Sequence, residues 1–366
     1  MEKEKGTIVL IGNHHIVIYN FRKELIQKLI CEGYRVVVML PCTEETDKIR
    51  ELGCEIIDIP VDRRGMNPFK DIQLFLRYRK NLKRLRPDLV LTYTIKPNIY
   101  GGFCCRISKV PYISTVTGVG SSFQKKGIFL KIITEMYRIS MKKAACVIFQ
   151  NEENKRLFEK QGINGKNTLL VRGSGVNLEC HTFEAYPLDE KIHLLYIGRI
   201  MREKGIEELL AAAEELHDEQ IVFELLGYCD ENYQDRLAEY EKKGIIKQLG
   251  FHAEVHEYMK ASSAALLPSY HEGMSNVLME ASATGRPVIA TNISGCKEIF
   301  EEGVTGFGCE PQNSESLIEA IRRFLALSNT ERAEMGRKAR EKMEREFDRR
   351  LVTDVYINEI NKILQK

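Results

Sequence analysis

The sequence predicts an α/β protein made of two doubly wound domains, each built on a parallel sheet. Short, β-rich apolar runs alternate with longer amphipathic patterns of helical period along the whole chain. The apolar runs are continuous rather than alternating, which is typical of parallel strands buried on both faces. At 366 residues the chain is also too long for one ordinary core and suits two domains.

Twelve apolar runs predict the strands. They lie at 7–12, 35–40, 54–59, 88–93, 112–117, 146–150 and 168–173, and then at 193–198, 221–227, 246–250, 264–268 and 287–291. The polar segment 177–192 interrupts this rhythm, so we predict one domain over residues 1–182 and a second over 183–345. Residues 346–366 are predicted to form a helix that packs back on the first domain. A cleft between two domains is a common place for a small ligand.

Composition excludes several classes of protein. Charged residues make up 29% of the chain and hydrophobic residues 43%, while the formal net charge is only +2. This balance is typical of a globular protein and does not indicate a nucleic-acid partner. No segment resembles a secretory leader or an apolar span of about 18 residues, and the ten cysteines form no CxxC pair. We therefore expect a cytoplasmic protein with reduced thiols.

One strand–loop–helix segment has the features of an anion site. The loop "PSYHEGMSN" follows the predicted strand 264–268 and leads into the helix "VLMEASATG". Gly273 allows close backbone approach, Ser275 or Asn276 can cap the helix, and the first helical amides then face any anion there. A diphosphate would fit this position.

Two glutamates and two cations flank the same position. Glu272 precedes the helix and Glu280 lies inside it, so both carboxylates could accept hydrogen bonds from sugar hydroxyls beside a diphosphate. Acids near an anion need compensating cations, and "YIGRIMREKG" supplies Arg199 and Lys204 after the strand 193–198. The segment therefore predicts a binding site for a diphosphate that has sugar hydroxyls on both sides.

The chain resembles the retaining glycosyltransferases of family four. The motifs are "GSGVN", "IGRIMREKG" and "LLPSYHEGMSNVLMEASATGRPVIATNISGCKEIFEEGVTGF", in which Glu272 and Glu280 match the family's E-x7-E spacing. In the first half, "LTYTIKPNIYGG" and "STVTGVGSSF" look like the subgroup that extends lipid-linked oligosaccharides in capsule or glycan assembly. The resemblance implies the GT-B fold: two Rossmann-like domains that face each other across a cleft, the N-terminal one for the acceptor and the C-terminal one for the nucleotide sugar.

The resemblance also implies roles for individual residues. Arg199, Lys204 and Glu272 would be catalytic: the two cations hold the donor diphosphate and the glutamate holds the donor sugar. Glu280 would bind the ribose hydroxyls. The remaining implied donor-binding residues are Gly198, Gly250, Phe251, His271, Gly273, Met274, Ser275 and Asn276.

The first domain departs from the better-known family members. Many of them have a Gly-Gly loop after the first strand, whereas "IGNHHIVIYNFRKEL" has only Gly12. Many also have a histidine after the fifth strand, where this chain has Thr117. The candidate acceptor-binding residues are Asn13, His14, Asn20, Arg22, Lys96 and Thr117.

The reaction implied is metal-independent transfer, with retention, of a hexose or N-acetylhexosamine from a UDP-sugar. The acceptor would be a polyprenyl-diphosphate-linked saccharide. No cofactor or metal is expected, since none of the eleven aspartates lies two positions from another to form an Asp-x-Asp pair. A noncatalytic nucleotide-sugar-binding module and a sugar-nucleotide epimerase are the alternatives. The chain has both cations as well as both glutamates, which argues against a noncatalytic binding module. The E-x7-E arrangement argues against an epimerase.

A basic amphipathic segment suggests a membrane surface as a further partner. Residues 121–145 carry six cations and one acid, Glu135, interleaved with apolar side chains. Such a helix can lie on an anionic leaflet, although a core-packed helix with a solvated basic face fits the pattern as well. Since the acceptors of the resembling subgroup are lipid-linked, we expect a peripheral protein on the inner face of the cell membrane.

Overall fold

The computed structural model describes residues 5–63, 65, 67–118, 128–217 and 220–365. The chain forms two compact units. Unit 1 comprises Met1–Ser174 with Arg350–Lys366, and unit 2 comprises Gly175–Arg349. The first division thus falls eight residues before the predicted boundary at 182, and the second falls four residues after the predicted boundary at 345.

Unit 1 contains a seven-stranded parallel sheet. Its strands are β1 (Gly6–Ile11), β2 (Tyr34–Leu40), β3 (Glu55–Asp58), β4 (Leu89–Tyr93), β5 (Tyr112–Val116), β6 (Cys146–Phe149) and β7 (Thr168–Leu170). The helices between them are α1 (His15–Cys31), α2 (Asp47–Arg50), α3 (Pro68–Leu85), α4 (Gly102–Ser108), α5 (Ile128–Met141) and α6 (Glu152–Lys160). The spatial order of the strands is β3-β2-β1-β4-β5-β6-β7.

Unit 2 contains a six-stranded parallel sheet of the same kind. Its strands are β8 (Ile192–Ile197), β9 (Ile221–Leu226), β10 (Ile246–Gly250), β11 (Ala264–Leu267), β12 (Val288–Thr291) and β13 (Gly306–Cys309). Its helices are α7 (Ile206–Glu215), α8 (Gln234–Lys242), α9 (His256–Ala261), α10 (Asn276–Ala283), α11 (Ser314–Leu325) and α12 (Asn329–Lys342). The order of the strands is β10-β9-β8-β11-β12-β13. The two doubly wound sheets confirm the predicted fold class.

The alternation of side chains along β1 shows how the first sheet is buried. Ile8 and Leu10 belong to one apolar cluster and Val9 and Ile11 to another, and all four are 0% exposed. Since successive residues of a strand point to opposite faces, both faces of the sheet are covered. The last helix, α13 (Arg349–Leu364), adds Val352, Tyr356, Ile357 and Ile360 to the cluster that contains Ile8 and Leu10.

All twelve predicted strands are present, and β13 was missed. Its sequence, "GFGC", has two glycines in four residues, and glycine is depleted in strands. The strand forms because Gly306 and Gly308 allow β13 to lie against β12, where a Cβ on Gly306 would stand 2.3 Å from the Val288 carbonyl oxygen. Close packing, rather than strand propensity, therefore selects these glycines.

The predicted basic helix is only partly described. Helix α5 begins at Ile128, and Lys125 and Lys126 of the 121–145 prediction lie outside the described residues. None of the described helices is long and apolar enough to cross a bilayer.

Arg286 explains why the chain from 175 to 192 belongs to unit 2. Its side chain is 0% exposed, and it donates to the carbonyl oxygens of Glu184 (3.0 Å) and Ala185 (2.8 Å). It also donates to Met259 and Lys260, at the end of α9. Burial lowers the pKa of Arg286 to about 10. One buried guanidinium thus attaches the irregular segment to the second sheet.

Replacing this guanidinium should destabilise unit 2. We expect Arg286→Met to lower the free energy of unfolding by at least about 3 kcal/mol, because several buried carbonyl groups lose a charged donor. The urea midpoint of the folded chain measures the effect. Arg322→Met is the matched control, because Arg322 is half exposed and pairs with Glu215 at the surface. Equal midpoints for the two variants would contradict this role of Arg286.

Candidate functional site

In both sheets, the order of the strands reverses at one point. The reversal lies between β1 and β4 in unit 1 and between β8 and β11 in unit 2. Ligands of open α/β sheets bind at the carboxyl ends of the strands at such a point. In unit 2 the loops there contain Arg199 and Lys204 after β8, and Glu272 to Ser275 after β11. The topology therefore brings together the two segments that the sequence singles out.

Lys204 and Glu272 form an ion pair across the two loops. The Nζ atom of Lys204 lies 2.5 Å from Oε1 of Glu272, and the side chains are 22% and 14% exposed. Gly205 has a φ of +74°, and a Cβ at this position would stand 2.0 Å from the Pro268 carbonyl oxygen. The amide of Tyr270 also donates to the carbonyl of Glu203 at 3.0 Å. The absence of a side chain at Gly205 therefore lets the loops meet.

Arg199 is oriented by an aspartate that the sequence analysis did not identify. Its Nη1 atom lies 2.8 Å from Oδ2 of Asp230, which follows β9. The Tyr196 hydroxyl donates to the Arg199 carbonyl at 2.7 Å. Gly227 lies so close to Gly198 that a Cβ on Gly227 would be 1.8 Å from the Gly198 carbonyl oxygen. The only sequence signal for Asp230 is its place just after a strand, in "GYCDE".

Ser275 caps α10, one of the two caps that the sequence allows. Its Oγ atom accepts from the Leu278 amide at 3.3 Å, and its own amide donates to the Gly295 carbonyl at 2.8 Å. Gly295 has a φ of +88°, and a Cβ there would stand 2.9 Å from the Glu272 carbonyl oxygen. The Oδ1 atom of Asn276 is buried and accepts no hydrogen bond from the part of the chain that the structure describes.

Met274 and His271, the other two candidates on this loop, differ in exposure. Met274 is 7% exposed and packs into the core of unit 2, where it anchors the loop. His271, next to Glu272, is exposed. Of the two, only His271 presents its side chain at the surface.

Glu280 lies in a different electrostatic environment from Glu272. Although 19% of the side chain is exposed, the carboxyl group is enclosed by protein, and this burial raises the pKa of Glu280 to about 7. The positive charge of Arg349 opposes the shift in part. Nε2 of His181 lies 3.9 Å from Oε1 of Glu280. Burial lowers the pKa of His181 to about 4, assisted by His256 and Arg349. A neutral histidine and a buried carboxyl thus share one site.

His181 and Arg349 were also missed by the sequence analysis. They belong to segments that are 168 positions apart and that meet through the pairing of Val176 with Asp348. Only tertiary contacts bring these two residues to Glu280, so no local sequence pattern predicts their position.

Two exposed aromatic rings stand at the ends of neighbouring strands in unit 2. Phe251 is 66% exposed and Tyr228 is 48% exposed. Their ring centroids are 6.1 Å apart in a T-shaped arrangement. Gly250 precedes Phe251, and its carbonyl accepts from the Gly227 amide at 2.8 Å. The predicted residues Gly250 and Phe251 therefore lie at the carboxyl edge of the sheet, beside the loop that contains Asp230.

In unit 1, four of the candidate acceptor residues lie at one edge of the sheet. Asn13 and His14 follow β1, Lys96 follows β4 and Thr117 follows β5, and these three strands are neighbours. His14 caps α1 by accepting from the Ile16 amide at 3.3 Å, and burial lowers the pKa of His14 to about 4, assisted by Arg63 and His15. Nζ of Lys96 lies 2.6 Å from Oδ1 of Asp71.

The other two acceptor candidates do not lie at this edge. Arg22 is 3% exposed and lies inside the core, with its guanidinium 4.7 Å from the Tyr93 ring and 5.5 Å from the Tyr356 ring. It stabilises the packing of α13, which corrects its assignment to the acceptor site. Asn20 is exposed one turn into α1, past the end of the strand.

A metal site is not found in the described ranges. Among these residues, no group of three or more His, Cys, Asp or Glu side chains could hold a metal ion. His252 and His256 do not form a pair: His252 contacts the Leu249 carbonyl, whereas the His256 ring lies near Glu184 and Thr182.

Two family models match the chain. Residues 182–342 match the glycosyl transferases group 1, and residues 7–151 match the glycosyl transferase 4-like proteins. Together the two matches cover most of both units.

Individual relatives are similar over more than two thirds of their length. The chain is 29% identical over 322 residues to the N,N'-diacetylbacillosaminyl-diphospho-undecaprenol alpha-1,3-N-acetylgalactosaminyltransferase of Campylobacter jejuni. This match covers 83% of this chain and 85% of the relative. It is 26% identical over 286 residues to the UDP-Gal:alpha-D-GlcNAc-diphosphoundecaprenol alpha-1,3-galactosyltransferase of Escherichia coli, and the match covers 72% of this chain and 73% of the relative.

Solved structures share the fold at low identity. The crystal structure of Anabaena Alr3699/HepE in complex with UDP and glucose has a TM-score of 0.80 and 18% identity, covering 98% of this chain and 100% of that one. The apo form of the lipopolysaccharide outer core galactosyltransferase WaaB has a TM-score of 0.71 and 17% identity, covering 97% and 99%.

The raised pKa of Glu280 should make stability depend on pH. The ordinary value is 4.5 and the folded value is about 7, so the unfolded chain ionises this carboxyl more readily than the folded chain does. The wild type should therefore lose stability relative to Glu280→Gln as the pH rises from about 4.5 to above 7. The expected loss is of order 3 kcal/mol.

Urea unfolding of both proteins across this pH range measures the difference. His181 and Arg349 face Glu280 in both proteins, so their own contributions largely cancel in the comparison. Parallel stability curves would show that Glu280 is not held in a buried, protonated form.

Proposed function

Because this chain belongs to the group 1 glycosyltransferases of family 4 and has their GT-B fold, we propose the following specific reaction. The enzyme transfers a hexose or N-acetylhexosamine, with retention and without a metal, from a UDP-sugar to a polyprenyl-diphosphate-linked saccharide. The product belongs to surface polysaccharide or glycan biosynthesis. The observation that carries this proposal is the set of Arg199, Lys204 and Glu272 at the reversal point of the second sheet.

The two cations are suited to neutralise a leaving diphosphate. Lys204 keeps two of its three N–H donors after pairing with Glu272, so it can contact a phosphate oxygen without breaking the pair. Arg199 is held by Asp230 through one nitrogen and is 37% exposed, which leaves other donors for the ligand. Preorganised donors of this kind stabilise the charge that develops on a leaving group.

Metal independence rests on the same cations. A divalent ion would neutralise the diphosphate, but two cations and the N-terminus of α10 supply equivalent charge and dipole. In the proposed retaining reaction the leaving phosphate takes the acceptor proton on the face from which it departs. The bond from the anomeric carbon to the phosphate oxygen breaks while the bond to the acceptor oxygen forms.

The rest of the donor has matching groups in unit 2. The Glu280 carboxyl would accept hydrogen bonds from the ribose hydroxyls, which favour its ionised form. The exposed rings of Tyr228 and Phe251 offer a surface on which a base can stack. A uracil base is favoured because the Escherichia coli relative is named for UDP-Gal, and the Anabaena neighbour was crystallised with UDP.

The acceptor is proposed to bind unit 1. The names of two relatives contain a diphospho-undecaprenol-linked sugar as the acceptor. Asn13, His14, Lys96 and Thr117 share the carboxyl edge of the first sheet, where the ligands of such sheets bind. Lys96 supplies the cation that a lipid diphosphate requires.

A lipid-linked acceptor supports a place at the cytoplasmic face of the membrane. Helix α5 and the residues after it present Lys131, Lys142 and Lys143 to solvent, together with the exposed side chains of Ile132 and Ile139. Cations beside exposed apolar residues are suited to an anionic leaflet.

Removing the Lys204 cation should reduce turnover. We expect Lys204→Ala to lower kcat by roughly 10²–10³-fold, because one preorganised donor to the leaving group is lost. UDP release from a UDP-sugar in the presence of a prenyl-diphosphate saccharide measures the rate. Lys243→Ala is the matched control, since it removes the lysine of a surface Lys–Glu pair in the same unit. Wild-type turnover in Lys204→Ala, with an unchanged melting temperature, would remove Lys204 from the mechanism.

Removing exposed cations from α5 should weaken binding to anionic vesicles. Each cation contributes about 1 kcal/mol near an anionic surface. We therefore expect the triple change of Lys131, Lys142 and Lys143 to Gln to lower the partition coefficient by roughly 100-fold. Sedimentation with phosphatidylglycerol-containing vesicles measures it. As a control, changing the exposed Lys243, Lys297 and Lys338 of unit 2 to Gln removes the same charge from another surface. If both triple variants bound the vesicles equally weakly, net charge alone would govern binding.

A further inference from the structure

Three helices of unit 1 enclose an apolar groove whose lining contains none of the residues named for the donor and acceptor sites. Its volume is about 490 Å³, which is in the range of small-molecule sites. It is lined by Ile72 and Phe75 of α3, by Phe103 of α4 and by Ile132 and Met136 of α5, with Ile99 between α3 and α4. The rings of Phe75 and Phe103 lie 5.7 Å apart. The groove is therefore built by side chains from several parts of the chain.

Helix α3 has a second apolar face that nothing in the described chain covers. Its core residues are Leu74, Tyr78 and Leu82, whereas Phe69, Ile72 and Leu76 lie on the opposite side. These three residues are 78%, 56% and 52% exposed. Ile72 belongs both to this stripe and to the lining of the groove. An apolar stripe continuous with a groove is typical of a surface that binds a lipid or a partner.

The charges of helix α3, which forms one wall of the groove, favour an anionic lipid. Helix α3 carries six cations and one acid, Asp71. The exposed cations are Lys70, Arg77, Arg79, Lys80, Lys83 and Arg84. A second copy of this chain would bring the same cations against each other, which opposes self-association. Charge complementarity therefore selects an anionic occupant.

One end of the groove is polar and leads to the proposed acceptor edge. Asp71 lines the groove and lies 2.6 Å from Nζ of Lys96, and it accepts from the Tyr100 hydroxyl at 3.0 Å. Lys96 and Asp71 are 15% and 16% exposed. Lys96 follows β4 and so stands at the carboxyl edge of the sheet. Asp71 thus connects the apolar lining to the shielded Lys96 cation, which stands beside the groove rather than in its lining.

We propose that this groove binds the isoprene units next to the diphosphate of the lipid-linked acceptor. The apolar lining takes the branched chain, and Lys96 at the polar end takes the phosphate. The assignment of a polyprenyl diphosphate rests on the proposed function, whereas the groove itself does not. A flat membrane contact would need only the exposed stripe, but a groove with an aromatic lining and one cation at its end fits a single anionic chain.

Because the chain contains no tryptophan, one introduced indole can report on the groove. Phe103→Trp places it in the lining, and Phe75→Trp is a second reporter if the first variant melts early. The probe is farnesyl diphosphate, a water-soluble isoprenoid that needs no membrane. We expect a saturable blue shift of the emission with farnesyl diphosphate and none with inorganic diphosphate.

Matched variants locate the response. Adding Ile72→Gln with Ile132→Gln to the reporter should weaken the apparent affinity at least tenfold, whereas adding Ile107→Gln should not change it. Ile107 is 46% exposed on α4 and does not line the groove. Phe69→Trp reports from outside the groove and should not respond. The proposal would be overturned by any of three results. These are no saturable shift in the reporter, an equal shift in Phe69→Trp, and the same affinity in the Ile72→Gln, Ile132→Gln reporter as in the Ile107→Gln reporter. An equal response to dodecyl diphosphate would also overturn it, because the site would then accept any alkyl chain.

Turnover separates this proposal from the proposed function. The Ile72→Gln, Ile132→Gln enzyme should show a raised KM for a polyprenyl-diphosphate saccharide and an unchanged KM for the same saccharide diphosphate on a methyl group. Equal effects on both acceptors would contradict the groove. The unmodified enzyme could use neither acceptor while the Phe103→Trp variant still bound farnesyl diphosphate. In that case the proposed acceptor would be wrong, but the groove would still be an isoprenoid-binding site.

Discussion

In unit 2, the loops after β8 and β11 lie against each other because Gly205 has no side chain. A Cβ on Gly205 would overlap the Pro268 carbonyl oxygen at 2.0 Å, so any other residue would force the loops apart. That separation would take Lys204 away from Glu272, which follows Pro268 by four residues. A similar contact, in which Gly227 lies against Gly198, brings the loops after β8 and β9 together. The positions of both cations therefore depend on backbone contacts that only glycine permits.

The two glutamates of the E-x7-E segment differ in charge environment, and this difference suits different partners. Glu272 already has a cation at 2.5 Å, so its remaining oxygen can accept from a sugar hydroxyl without exposing a bare charge. Glu280 has a neutral histidine at 3.9 Å and only partial compensation from Arg349. Hydroxyl donors from a ligand would replace the missing stabilisation. Hydrogen bonds from such hydroxyl groups would lower the pKa of Glu280 from its raised value and favour the ionised carboxylate.

The sequence predicts the sheets well because buried parallel strands are continuous apolar runs. It also predicts that Arg199, Lys204 and Glu272 lie in loops after strands of one sheet, because strand-to-helix loops are short and local, and their roles stay a prediction. It fails where the determinant is a contact between distant segments. Asp230, His181 and Arg349 reach their partners through tertiary packing alone. Arg22 looks like a surface cation in the sequence, yet two tyrosine rings enclose it. Unit 2 begins at Gly175, before the predicted boundary at 182, and the contact there is again between distant segments, since the Val176 amide donates to the Phe347 carbonyl.

Helix α3 shows how one short segment can serve the core and a ligand at the same time. A helix that needs only to pack on a sheet has one apolar face, and polar residues on the other face keep it soluble. In α3 the outer face keeps Phe69, Ile72 and Leu76 exposed, at a cost in solubility that the flanking cations reduce. Its lone acid, Asp71, does not serve solubility, because it is largely buried and holds Lys96 and Tyr100. Both features of α3 are explained if its outer face and its buried acid belong to one binding site. In that site Asp71 keeps the Lys96 ammonium in place, and the isoprenoid chain of the acceptor covers the apolar residues.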